Sequence, residues 1–150
     1  LSLHDALPIL LGRKVLMENG RGLQLLAARI NQTIERALKQ PELAAHANAL
    51  AGALQHVGAA TKAAWATGVP TDALANAVPY LQAFGHTVLA WIWLDVALAV
   101  QAGGHHDATA QGRLAAARFF FHYELPKIGA WLRVVETRDQ TCAELPEDAF

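Results

Sequence analysis

Residues 112–132, GRLAAARFFFHYELPKIGAWL, decide how this chain is expected to fold. Their apolar side chains recur every three or four residues, the spacing of one face of an α-helix. Pro126 stands inside this pattern; because proline lacks an N–H, it frees the carbonyl of His122 and predicts a kink at Leu125. The aromatic run at 119–123 spans more than one helical turn, so some of its rings must point away from the core. The stretch therefore predicts a packed helix that also presents a docking surface.

The same spacing predicts three further helices along the chain, and strand patterns are nearly absent. The predicted helices cover about residues 21–39, residues from Pro41 to a stop at Gly68 and Pro70, a third segment that reaches Ala102, and about residues 107–137. Short connections between long helices favour antiparallel neighbours. The predicted fold class is therefore all-α, an up-down antiparallel four-helix bundle.

Several local signals predict where these helices begin and which sides of them are buried. Thr71 is expected to cap the third segment and Asp107 the fourth, since short oxygen-bearing side chains accept the unpaired N–H groups of a first turn. Pro79 either kinks the third helix or marks a fresh start, and the pattern allows both. Residues 80–102 are apolar nearly all the way round, so this helix is expected at the centre. The stripe of the first helix consists of Leu23, Leu26, Ile30, Ile34 and Leu38.

Charge, length and cysteine content exclude several classes of protein. The formal charge of −1 offers no broad basic face, so nucleic acid is not an expected partner. The apolar segment 88–100 is shorter than the roughly 20 residues that span a membrane and contains Asp95, so a buried core helix is predicted and no transmembrane segment. A single cysteine, Cys142, fits a reducing, cytoplasmic setting.

No catalytic, cofactor-binding or metal-binding residue is predicted within the chain. A dinuclear metal site in a bundle needs Glu-x-x-His pairs, whereas Glu42 precedes His46 by four residues and His122 precedes Glu124 by two. The sequence His105-His106-Asp107 is expected to be a solvated turn with a capping aspartate. The glycines beside basic residues at 12–14 and 20–22 lack the strand-loop-helix setting of a phosphate loop.

The charged groups of the two most apolar helices are expected to pair with one another, because an unpaired buried charge is costly. These groups are His86, Asp95, Arg118, His122 and Glu124. We hypothesise that Asp95 pairs with Arg118 or His122 across the third and fourth helices and fixes the register of the bundle.

The two ends of the chain differ from its middle. Residues 1–9, LSLHDALPI, resemble a translated sequencing adapter, so 1–10 are predicted to be a non-native or disordered leader. Residues 11–20 are expected to be a linker from an upstream domain, 21–138 the bundle, and 139–150 a tail that Leu145 and Phe150 could attach to it.

Six segments together resemble one protein family, although each is unspecific alone. They are LGRKV at 11–15, YLQAFGH at 80–86, LAWIWL at 89–94, residues 112–132, DQT at 139–141 and LPE at 145–147. In this order they resemble the C-terminal accessory domain of acyl-CoA dehydrogenases of the 3-methylthiopropionyl-CoA dehydrogenase type. The resemblance covers about residues 11–150.

The resemblance implies a bacterial flavoenzyme of fatty acid metabolism as the parent, in which a glutamate removes the α-proton of an acyl-CoA thioester and the β-hydride passes to FAD. In that family the glutamate and most FAD and CoA contacts belong to preceding domains. No residue here matches the base, and Glu124 is not taken for it. The implied partners are the dehydrogenase core and further copies of the chain in a homo-oligomer.

Two other functions remain open at this point. The runner-up is a free-standing helical adaptor that recognises partner helices through its aromatic surface. An independent metal or flavin enzyme is the third.

Overall fold

A computed structural model describes residues 10–104, 106–146 and 148. Within these residues every regular element is helical and no strand occurs, which confirms the all-α class. The α-helices are α1 (Arg21–Leu38), α2 (Ala44–Ala64), α3 (Pro70–Leu74), α4 (Ala77–Ala102), α5 (Ala108–Phe119) and α6 (Ile128–Glu136). The third and fourth predicted helices are thus each divided in two.

The bounds of α1 agree with the prediction, but its apolar stripe is shorter than expected. Ile30 and Ile34 are buried, whereas Leu38, the last residue of the helix, is largely exposed. Thr33 is buried in the stripe instead. The indole N–H of Trp91 in α4 donates a 2.9 Å hydrogen bond to the Thr33 hydroxyl, so this polar group has a partner where α1 meets α4.

α2 begins later than predicted. Pro41 lies in a turn and the helix starts at Ala44, so Pro41 is wrong as its opening residue. The helix ends at Ala64. Gly68 lies in the connection that follows, with a φ of +70°, a conformation that costs glycine little. Pro70 is the first residue of α3, so α2 ends before both predicted stop signals.

The region between α2 and α4 shows that the predicted cap at Thr71 is wrong, and it decides between the two alternatives for Pro79. Thr71 is not an N-cap: Val69 holds that position in extended backbone, and Pro70 takes the first helical position, where its missing N–H costs nothing. α3 then stops, and α4 starts at Ala77 with Pro79 as its third residue. Because a first-turn N–H has no acceptor within the helix, Pro79 marks a fresh start and not a kink.

The fourth predicted helix is interrupted at the position that Pro126 predicts. Asp107 caps α5, accepting a 2.8 Å hydrogen bond from the N–H of Ala110, which confirms its role. After α5 the chain forms a π-helical turn at Phe120–Glu124 and a 3-10 turn at Leu125–Lys127 before α6. Pro126 lies in the 3-10 turn, and because it cannot donate to the helical ladder, regular α-helix stops on both sides of it.

α4 is the central helix, as its composition predicts. It contacts α1, α2, α5 and α6, and Ala83, Ala90 and Leu94 are fully buried. The hydroxyl of Tyr80, also fully buried, lies 2.7 Å from that of Thr61 in α2, so the polar atom of this ring is satisfied.

The segments on either side of the helices are attached to them. Leu11 and Val15 are buried, and the Leu11 carbonyl accepts a 3.1 Å hydrogen bond from the indole of Trp65. The Arg138 guanidinium donates to the Ala63 carbonyl at 2.9 Å.

One of the two tail residues expected to pack on the bundle does not do so. Leu145 is largely exposed, so it does not anchor the tail. Phe150 lies outside the described residues, as do residues 1–9, for which the leader was predicted.

Candidate docking surfaces

One side of α4 is apolar and exposed. Leu89 is 45% exposed and Ile92 is 48% exposed, with Val88 and Val96 half-buried nearby on the same side of the helix. Only 39% of the most apolar 18-residue window of α4 is buried. This helix therefore carries more apolar surface than the rest of the described chain covers.

α4 is also long and apolar enough to cross a membrane, with a mean hydropathy of 1.6 over that window. Among the described residues no other helix passes this test, and a single such helix is weak evidence because core helices of soluble proteins pass it too. Its contacts with four neighbouring helices favour the interpretation as a core helix.

A second surface lies at the end of α5. Phe119 is 53% exposed and Tyr123 is 66% exposed, and the two rings stack with centroids 4.9 Å apart and planes 16° apart. Phe120 and Phe121, between them, are buried. The prediction that some rings of this run point away from the core is confirmed. With Arg118 and His122, the exposed pair lines a shallow pocket of about 300 Å³.

Near this pocket, His46 of α2 contacts the buried ring of Phe121. The imidazole of His46 stacks on Phe121 at 4.5 Å and 8°, and meets the ring of His122 edge-on at 5.9 Å. Burial is the largest cause that lowers the pKa of His46 below its ordinary value of 6.5, followed by the electrostatic effects of His122 and Arg118. His46 is thereby held in its neutral form.

The five charged groups expected to pair with one another are only partly brought together. Asp95 does not meet Arg118 or His122; it pairs instead with Arg36 of α1 on an exposed face. That hypothesis is wrong because Asp95 lies on the α1 side of α4. His86 does approach Glu124, with Nε2 and Oε2 3.6 Å apart.

Glu124 is engaged in ion pairing. Its carboxylate accepts hydrogen bonds of 2.7 and 2.8 Å from the Lys127 ammonium group. Lys127 is the main cause that lowers the pKa of Glu124, with a smaller contribution from His86. A carboxylate whose pKa is lowered by a bound ammonium group is a poor general base, so the structure offers no reason to assign Glu124 that role.

The candidate metal ligands do not form a site in the described part of the chain. No group of three or more His, Cys, Asp or Glu side chains there could hold an ion. His46 and His122 meet through their rings, and Glu124 bonds Lys127. Asp107 caps α5; His105 lies outside the described residues.

An apolar groove of about 490 Å³ lies between the start of the described chain and α1. Leu10, Val15, Leu23, Leu25, Leu26 and Phe84 supply most of its walls, with Lys14, Glu18 and Arg21 also lining it. Arg21 approaches Glu18 to 3.6 Å. A flavin dinucleotide carries a charged diphosphate, and of the two basic side chains in this mostly apolar lining Arg21 already lies beside the acidic Glu18. The groove therefore does not fit FAD.

Residues 26–146, most of the chain, match the family described as Acetyl-CoA dehydrogenase C-terminal like. The chain belongs to this family. The match covers all of α2 to α6, including the aromatic run at 119–123. A search of curated proteins found no significant match.

Sequence reasoning missed two contacts of these surfaces. The stacking of His46 on Phe121 joins residues that are 75 positions apart, and the pairing of Arg36 with Asp95 joins residues 59 apart. Both depend on the rotation and register of packed helices. Helical periodicity gives the buried side of one helix, but it does not say which residue of a neighbour lies opposite.

Proposed function

We propose that this chain is the C-terminal accessory domain of a longer FAD-dependent acyl-CoA dehydrogenase, where it packs on the catalytic core and supports subunit assembly. Membership of the Acetyl-CoA dehydrogenase C-terminal like family supports this proposal. The parent reaction is α,β-dehydrogenation of an acyl-CoA thioester, in which the α-proton goes to a glutamate and the β-hydride to FAD. We assign both groups to the preceding domains, and the parent to the 3-methylthiopropionyl-CoA dehydrogenase type.

The single observation that carries a docking function is the exposed stack of Phe119 and Tyr123. Two large rings fixed against each other expose apolar area that water solvates poorly, and they lose little side-chain entropy on binding. Arg118 lines the same pocket. Aromatic residues and arginine are enriched in protein interfaces and among the residues that carry most of the binding energy.

We further propose an up-down arrangement of four helical segments at 21–138, with residues 11–20 as the connection from the core and 139–150 as a tail. The order in which residues along α1 meet residues along α4 supports this topology. Thr33 meets Trp91, and Arg36, further along α1, meets Asp95, further along α4. These helices therefore run in the same direction, as the first and third segments of an up-down bundle do.

The setting we propose is the cytoplasm, with a homo-oligomeric parent. The exposed Cys142 has no disulfide partner within the described residues, a pattern that fits a reducing compartment.

Reconstitution with the dehydrogenase core tests the docking surface. The core, once its coding sequence is in hand, and this chain are produced as separate polypeptides, and their affinity is measured by calorimetry. We expect the double variant Phe119→Ala/Tyr123→Ala to bind at least tenfold more weakly, since each hot-spot ring contributes about 2 kcal/mol or more. The control is Leu145→Ala, another exposed apolar residue, which lies in the tail. Equal affinity of the double variant and the wild type would reject this surface, and absence of binding by the wild type would reject the accessory function.

A further inference from the structure

Two pairs of exposed side chains lie next to each other at the end of α5. Arg118 and His122 are four residues apart, and so are Phe119 and Tyr123, so the members of each pair are neighbours about one helical turn apart. All four line the same shallow pocket. The surface therefore combines a basic pair, Arg118 and His122, with an aromatic pair, Phe119 and Tyr123.

The basic pair has no acidic partner in the part of the chain that the structure describes. No ion pair there includes Arg118 or His122, and the pocket lining contains no acidic side chain. Glu124, the nearest acidic residue along the chain, is turned towards His86 of α4, whereas His122 meets His46 of α2. The charge of Arg118 is thus unbalanced locally, in a chain whose formal charge is −1.

His46 records the electrostatic effect of the basic pair. After burial, His122 and Arg118 are the causes that lower the pKa of His46. A further positive charge is disfavoured beside a cation that no carboxylate neutralises. The pocket is therefore a place where a negative group is favoured.

We propose that the dehydrogenase core presents an Asp or Glu carboxylate to Arg118 and an apolar side chain to the aromatic pair. This proposal rests on the docking function above and adds the chemistry of the partner. The planar guanidinium group can donate two parallel hydrogen bonds to one carboxylate, and His122 adds a ring N–H donor one turn away. An exposed ion pair contributes little, but one that the neighbouring rings help to shield from water is stronger.

Calorimetry with the separately produced core measures the contribution of the charge. Arg118→Gln removes the charge and keeps a polar side chain, so we expect roughly tenfold weaker binding or more, with an affinity that depends much less on salt. The matched control is Arg113→Gln, which removes the same charge from an exposed side chain of α5 about 140° away around the helix. We expect the control to bind as the wild type does. Both variants replace exposed side chains, so their helix content by circular dichroism should be unchanged.

Carbodiimide coupling identifies the partner group directly. In the Arg118→Lys variant, the new amine can condense with a carboxylate in contact with it to form an amide bond, while the carbodiimide takes up the water and becomes a urea. We expect mass spectrometry to find peptides that join position 118 to an Asp or Glu of the core. The Arg113→Lys control should give no such link from position 113.

The possible results separate this proposal from the docking function on which it rests. If the wild type and Arg118→Gln bind the core equally tightly, the carboxylate partner is wrong while docking through the aromatic pair stands. If the wild type does not bind the core, the docking function itself is wrong. If Arg118→Gln weakens binding of an acyl-CoA but not of the core, the anion belongs to a small molecule, and the proposal is overturned.

Discussion

Arg36 of α1 donates a hydrogen bond of 2.5 Å to Asp95 of α4, and this ion pair joins the first long helix to the central one. The two side chains are 58% and 56% exposed. The charge on the most apolar helix is thus satisfied at the surface by a helix that sequence patterns did not connect with it.

Removing this pair should have a small effect on stability. We expect Asp95→Ala to lower the free energy of unfolding by about 0.2–1 kcal/mol, because exposed ion pairs are screened by water and salt. Urea unfolding of the single variants and of Asp95→Ala/Arg36→Ala measures the coupling. A loss above about 3 kcal/mol, the range of a broken buried pair, would contradict the exposed geometry.

Tyr80 should limit stability in alkaline solution. Burial raises the pKa of its phenol above the ordinary value of 10, while the hydrogen bond with Thr61 opposes the shift. The contribution of Tyr80 is complete below pH 10 and is lost as pH rises through the raised pKa, because the unfolded chain releases its proton first. We expect Tyr80→Phe to flatten the fall in unfolding free energy above about pH 10. An identical slope in both proteins would show that Tyr80 is accessible to water.

His46 should act at the opposite end of the pH range. Its pKa is lowered by burial, then by His122 and Arg118, so the unfolded chain takes up a proton first as the pH falls. Its contribution is present above 6.5 and is lost as the pH falls through the lowered pKa. We expect His46→Phe, which preserves stacking on Phe121, to reduce the loss of stability between about pH 7 and pH 5. NMR titration of wild-type His46 with a midpoint at or above 6.5 would refute this explanation.

The isolated chain should bind neither FAD nor acyl-CoA. The apolar groove beside α1 offers few donors for a diphosphate, and the flavin and thioester sites are proposed to lie in preceding domains. Flavin absorbance after incubation and desalting, together with calorimetry against an acyl-CoA, measures both interactions. Stoichiometric flavin would favour an independent flavin enzyme over an accessory domain.

The sequence predicted the features that depend on interactions between residues close together in the chain. The bounds of α1 follow from its periodicity, and the cap at Asp107 follows from one side chain and the N–H of Ala110. The interruption at Pro126 follows from a missing hydrogen-bond donor. Each of these features depends on residues within about one or two helical turns of one another.

Features that depend on packing were predicted less well. Thr71 has the right chemistry for a cap, but the rigid backbone of Pro70 sets the start of α3 two residues earlier, with Val69 as the N-cap. Leu38 fits the apolar stripe of α1, yet it is 46% exposed, whereas Ala37 beside it is fully buried. The partner of Asp95 was wrong because the rotation of α4 turns this residue towards α1. The exposed rings at 119–123 were predictable because five successive aromatic or ring-bearing residues cannot all face one core.

The coding sequence upstream of residue 10 is the measurement that decides whether this chain is an accessory domain. Long-read sequencing of the source DNA across this point gives the reading frame. We predict an open frame that runs without a stop into residue 11 and encodes a dehydrogenase core with its catalytic glutamate. A start codon with a ribosome-binding site near Met17 would contradict the proposal and would favour a free-standing helical adaptor.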